Sequence, residues 1–106
     1  MDSAIAKLGA ATAAAGIRVW TGRGVSPRPR RDAADVVTHF GEELALELLP
    51  IIQALDEAFY ESDAYRRVAD LADAGRVAAA EFSARFPMLP LSVSEDFAWC
   101  YTYDYR

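Results

Sequence analysis

The segment from Asp32 to Glu61 constrains this chain more than any other. Val36, Val37, Phe40, Leu44 and Leu48 recur at helical spacing, and Ile51, Ile52, Leu55 and Phe59 continue the same apolar stripe. Asp32 is a good N-cap, and Asp35 adds a carboxylate to the first turn, where the helix dipole favours it. Pro50 removes a backbone donor and crowds the preceding turn, so the helix is expected to kink or restart there. This span holds the densest set of large apolar residues. Elsewhere the hydrophobic content of 53% is diluted by 21 Ala residues, which bury little surface. A core must therefore form around residues 32–61.

With 106 residues, the chain fits one small domain with one core. A single Cys excludes an internal disulfide framework, and no run of about 18 apolar residues exists to cross a bilayer. The start, MDSAIAKLGAATAAAGIR, lacks the basic leader and strongly apolar stretch of a secretory signal. A cytoplasmic location is expected. Arg outnumbers Lys by 10 to 1. That bias, with abundant Ala, is usual under G+C-rich codon use and points to a bacterial or phage gene.

Further helices are expected on both sides of the central one. Residues 3–15 read as a short Ala-rich helix capped by Ser3 and ended by Gly16, with Ile17 to Trp20 extended after it. Ser62 can cap a helix over 63–74, and residues 76–86 resume the helical pattern after Gly75. The tail admits two readings. Ser92 and Glu95 have the spacing of a capping box, which starts a helix. Phe97, Trp99, Tyr101, Tyr103 and Tyr105, however, alternate with smaller or polar residues, and that alternation favours a strand. Its partner would be residues 17–21. The expected fold is a mostly α, single-domain bundle of three to four helices, with a short β ribbon from the C-terminal tail as an option. Residues 1–31 would supply an Ala-rich helix and a basic arm. Residues 32–106 would form an acidic helical domain with an aromatic tail.

Charge is unevenly spread. Residues 1–31 carry +5 and residues 32–106 carry −10, for a net −5. The basic part centres on TGRGVSPRPRR, where two Gly loosen the chain and two Pro stiffen it and exclude a helix. Arg23, Arg28, Arg30 and Arg31 either dock on the acidic body or project toward a phosphate or an acidic protein surface.

Reactive chemistry is thin. Asp35, His39, Glu43 and Glu47 recur every four residues, so His39 and Glu43 could sit side by side. One His in the whole chain is too few for a zinc or di-iron site, and no metal or other cofactor is expected. Cys100 would need a base to act as a nucleophile. His39 is the only imidazole, so a small buried filler is the simpler role. Trp20-Thr-Gly22 has the Trp-x-Gly spacing of small secreted helical-hairpin proteins. In those the motif joins two long helices. Here a short Ala-rich helix precedes it and Pro50 interrupts the second helix, so the chain is not assigned to them.

No enzyme is expected. The leading expectation is a small acidic module that occupies a partner protein's surface, as an inhibitor, adaptor or assembly factor, in a phage or defence setting. Trp99, Tyr101, Tyr103 and Tyr105 would anchor it. Glu43, Glu47, Asp70 and Asp73 would steer encounter with a basic partner. Two alternatives remain: nucleic-acid association through Arg23, Arg28, Arg30 and Arg31, or an acidic surface that imitates a phosphate backbone.

Overall fold

A computed structural model describes residues 1–106 as an all-helical molecule. Six helices and one isolated turn occur in chain order. They are α1 (Asp2–Leu8), α2 (Ala10–Thr21), α3 (Ala33–Phe40), α4 (Glu42–Phe59), the single turn α5 (Ala64–Arg67), α6 (Leu71–Arg85) and α7 (Leu91–Tyr105). Together they make a slab of 42 × 30 × 17 Å. The helical class matches the sequence reading; the count of three to four helices and the β ribbon do not. No helix is long and apolar enough to cross a membrane.

The extra helices come from two glycines. Gly9 and Gly41 adopt φ of 101° and 86°, a region that side chains disfavour, and each separates two helices. The Asp32–Glu61 stripe is therefore two helices, with α3 capped by the Asp32 carboxylate accepting from the Ala34 N–H at 2.9 Å. Pro50, by contrast, does not end α4. It faces solvent with Leu46, whose carbonyl loses its donor where water can replace it.

Residues 17–20 are helical rather than extended, and Gly16 lies inside α2 instead of ending it. A Cβ at Gly16 would stand 2.8 Å from Leu48 Cδ2, so the missing side chain sets how closely α2 approaches α4. The chain then leaves α2 at Gly22 and folds back: the Arg30 N–H donates to the Thr21 carbonyl and that of Asp32 to the Trp20 carbonyl.

One core joins all of these. Leu48, Ile52, Leu55 and Phe59 of α4 meet Ile17 and Trp20 of α2, Phe82 of α6, and Val93, Phe97 and Tyr101 of α7. Phe59, Phe82 and Phe97 form a triangle of rings with centroids 5.4–5.7 Å apart. Such spacing is usual for tilted and edge-to-face pairs.

The tail is the main correction. Residues 91–105 form helix α7, and residues 17–21, the expected strand partner, belong to α2. The physical reason lies in the ring spacing. Every second member of an alternating row is four residues away, which is close to one helical turn. Phe97, Tyr101 and Tyr105 therefore share one side of α7, and Trp99 and Tyr103 share another. A row of rings that looks like one strand face becomes two helix stripes.

Candidate partner-binding surface

The inner stripe of α7 belongs to the core. Tyr101 is wholly buried, and its hydroxyl accepts from the Tyr65 N–H and donates to the Ser62 carbonyl, both at 3.0 Å. Tyr105 stacks on Tyr65 with centroids 3.9 Å apart and planes within 7°, at the surface end of that cluster. Two of the expected anchors are thus engaged with other rings, one of them completely.

The outer stripe is different. Of the twelve aromatic residues, Trp99 and Tyr103 are the two that pair with no other ring. Tyr103 carries only the Arg106 guanidinium, 4.0 Å above its ring. Both residues remain partly exposed along the seam between α6 and α7. That seam forms a groove of about 440 Å³ lined by Leu71, Ala72, Trp99, Thr102, Tyr103 and Arg106, with Pro27 of the arm as its further wall. A second hollow of about 350 Å³ continues it past Gly75 and Ala98 toward Arg23, Arg76 and Glu95.

Gly75 lines the second hollow and marks where the two helices meet. A Cβ there would come 2.6 Å from Thr102 Cγ2, so α6 and α7 are in direct contact at this level. They are the most extensively packed helix pair in the molecule. Ala72, Gly75 and Ala79 on α6, with Ala98 on α7, line the second hollow beside Trp99. Reading Gly75 only as a break between helices 63–74 and 76–86 misses this role. Small residues at 72, 75 and 79 on one helical face are the signal that carries it.

The arm is held in place by ion pairs. Arg23 Nη1 lies 3.2 Å from Asp96 Oδ1, and Arg18 Nε lies 2.9 Å from Asp96 Oδ2. Asp96 is 1% exposed, so two guanidiniums at the surface compensate one buried carboxylate. Arg30 bonds Asp35 at 2.6 Å and also reaches Asp32. Arg31 makes a two-pronged contact with Asp104, at 2.6 and 2.9 Å, and its φ of 51° is the only positive value outside glycine. The Tyr60 hydroxyl donates to the same Asp104 carboxylate. Arg28 alone of the four arm arginines has no carboxylate partner.

The ionisation of this corner is set by its packing. Burial alone would push Asp104 up, but hydrogen bonds from Arg31 and Tyr60 hold it below its ordinary value. Burial pushes Asp56 up to about 6, against the pull of Arg31, and its Oδ1 has no hydrogen-bond partner. Burial likewise pushes the Cys100 thiol up to about 12, which keeps it protonated at neutral pH and a poor nucleophile. His39 is exposed near the end of α3, against Phe40, and Gly41 separates its helix from that of Glu43.

The acidic residues do not gather around the rings. Asp70 caps α6 by accepting from the Asp73 N–H at 3.1 Å, and Asp73 pairs with Arg76 beside the groove. Glu61 and Asp63 pair with Arg85 and Arg67. Glu43 and Glu47 stand exposed and unpaired at the start of α4. Thirteen residue steps, roughly 20 Å along the helix axis, separate Glu47 from Tyr60, the residue that faces Asp104.

Taken together these contacts define a small helical scaffold with one aromatic groove and an ordered basic arm beside it. Comparison with protein-family models, curated proteins and solved structures finds no match to this chain.

Proposed function

We propose that the protein is a binding module that holds another protein through the α6–α7 groove. The observation that carries this reading is the isolation of Trp99 and Tyr103 from the ring pairs that engage every other aromatic side chain. Tyr and Trp are enriched where an apolar body and a polar tip meet a partner, and such rings dominate interface energy when they become fully covered. The pairing of Arg23, Arg30 and Arg31 with carboxylates leaves the arm few free charges for phosphate, which weighs against nucleic acid. The unpaired Glu43 and Glu47 would add long-range attraction toward a basic region of the partner, on a different part of the surface from the groove.

A photo-crosslinking residue in place of Ala72, on the groove rim, provides the test. In cells of the source organism it should trap one predominant protein, and Tyr103→Ala in the same chain should abolish that adduct while circular dichroism and thermal melting stay unchanged. Adducts that persist in Tyr103→Ala, or no adduct at all, would remove the groove as the binding surface.

A further inference from the structure

The arm separates the α6–α7 groove from a larger hollow, and Pro27 borders both. The hollow measures about 590 Å³ and lies between the arm, the end of α2 and α3. Small-molecule sites usually enclose about 300–1,000 Å³. Arg18, Arg23 and Arg30 line it, with Val19, Val25 and Pro27 as its apolar part. Two of these guanidiniums are held from behind. Asp96, buried on α7, accepts from Arg18 Nε with one oxygen and from Arg23 Nη1 with the other. A buried carboxylate paired in this way often contributes no more to stability than an apolar residue of the same volume. Its geometric effect is to fix two guanidiniums against one anchor. Arg18 keeps both Nη groups, and Arg23 its Nε and Nη2, without a hydrogen-bond partner. The two side chains are 48% and 37% exposed, so these N–H groups are open to a ligand. A Cβ on Gly24 would stand 4.0 Å from Arg18 Nη1, which places that nitrogen against the turn of the arm.

Charge limits what the hollow accepts. Arg18 and Arg23 against the single carboxylate of Asp96 leave a surplus of one positive charge. Arg30 adds none, because Asp35 and Asp32 both hold it. Glu95, exposed on α7, is the remaining acid beside Arg18. The net field is therefore close to neutral, and selection falls to the direction of the free donors. Guanidinium forks match the two oxygens of a carboxylate. A phosphate dianion would bring a second charge that nothing here compensates. Val19, Val25 and Pro27 suit a hydrocarbon body rather than a bare ion. We infer that Arg18 and Arg23 bind the carboxylate of an organic acid whose apolar body rests on Val19, Val25 and Pro27. This site does not depend on what the α6–α7 groove holds.

The probe is phenylacetate, titrated into the isotope-labelled full chain by NMR. It should shift the Gly22, Gly24 and Val25 amides and the Arg18 and Arg23 Nε–H signals saturably. Phenylacetamide has the same ring without the charge, and should bind about tenfold more weakly or worse, the scale of a lost charge-assisted hydrogen bond. Acetate, which lacks the ring, and benzylphosphonate, which carries a second charge, should also bind more weakly. N-acetylphenylalanine represents the end of a peptide, so whichever of it and phenylacetate binds tighter names the source of the carboxylate. Arg18→Lys keeps the charge but loses the fork, and should weaken phenylacetate about tenfold. Val25 is 92% exposed, so Val25→Glu disturbs no packed contact, and its carboxylate at the hollow should abolish saturation. Phenylacetamide, acetate or benzylphosphonate binding as tightly as phenylacetate would overturn the inference. So would the absence of saturable shifts at millimolar phenylacetate, shifts centred on the Trp99 indole, or binding unchanged in Val25→Glu.

Discussion

On the inner side of α7, Phe97 and Tyr101 are sealed completely, each touching several other rings. On the outer side, Trp99 and Tyr103 keep part of their surface in water and touch none. The two stripes have the same kind of residue, lie on the same helix and interleave in sequence. What separates them is the neighbour each meets. The inner stripe meets Phe59 of α4, Trp20 of α2 and Phe82 of α6 inside the core. The outer stripe faces the seam with α6, where Leu71, Ala72 and Gly75 offer no ring to pair with. Aromatic content alone therefore does not distinguish a core ring from one left partly at the surface.

The sharpest test of this contrast compares two tyrosines two residues apart. Tyr101→Ala should cost about 3–5 kcal/mol, the range for removing a large buried ring. It also strands the Tyr65 N–H and the Ser62 carbonyl. Tyr103→Ala should stay within about 0.5 kcal/mol, as surface changes do. Urea denaturation of both variants measures the difference. Equal losses would show that Tyr103 supports the fold, and the distinction between the stripes would collapse.

A smaller effect tests the seam itself. Gly75→Ala should gain helix propensity but force Thr102 aside, for a net loss of about 1–3 kcal/mol typical of overpacking. Thr102→Ser removes the offending methyl and keeps the hydroxyl that donates to the Trp99 carbonyl. In the double variant the clash is gone, and the preference for Ala over Gly, about 1 kcal/mol, should appear as added stability in thermal melts. A Gly75→Ala chain more stable than the parent would mean that α6 and α7 stand further apart and that the groove floor is deeper than this contact makes it.

How much of the fold and the groove is legible in the sequence depends on which forces are local. The Asp32 cap, the apolar stripe of 32–59 and the exclusion of helix from Ser26–Arg31 depend on residues close in sequence, and the structure contains each of them. Gly41 gives no signal in the spacing, because its neighbours keep helical periodicity on both sides and only its backbone angle reveals the break. Gly16 reads as a helix end, although its missing side chain answers to Leu48, thirty-two residues away. The tail misleads because period two contains period four, so alternation over nine residues cannot by itself separate a strand from a two-striped helix. Asp96 gives no local sign of its role, since both arginines that compensate it lie more than seventy residues earlier.

The inner face ends in a polar corner that the outer face lacks, and that corner should carry a pH dependence. Asp56 titrates near 6 in the folded chain, because burial disfavours its charge. In the unfolded chain a carboxylate of this type titrates near 4. Between those values the folded state holds the extra proton, so stability falls as pH rises from about 4 to about 6 and then levels off. Asp104 acts in the opposite sense. Its folded value is depressed, so its contribution is present above about 4 and is lost as pH falls below that. Asp56→Asn should therefore abolish the decline between pH 4 and 6, leave the acid limb to which Asp104 and the Arg67-paired Asp63 contribute, and be more stable than the parent at pH 7. Urea midpoints at pH 4, 5, 6 and 7 distinguish the cases. A parent whose stability rises across that interval would mean that Arg31 outweighs burial at Asp56, and that the corner is an ordinary ion-pair cluster rather than a strained one.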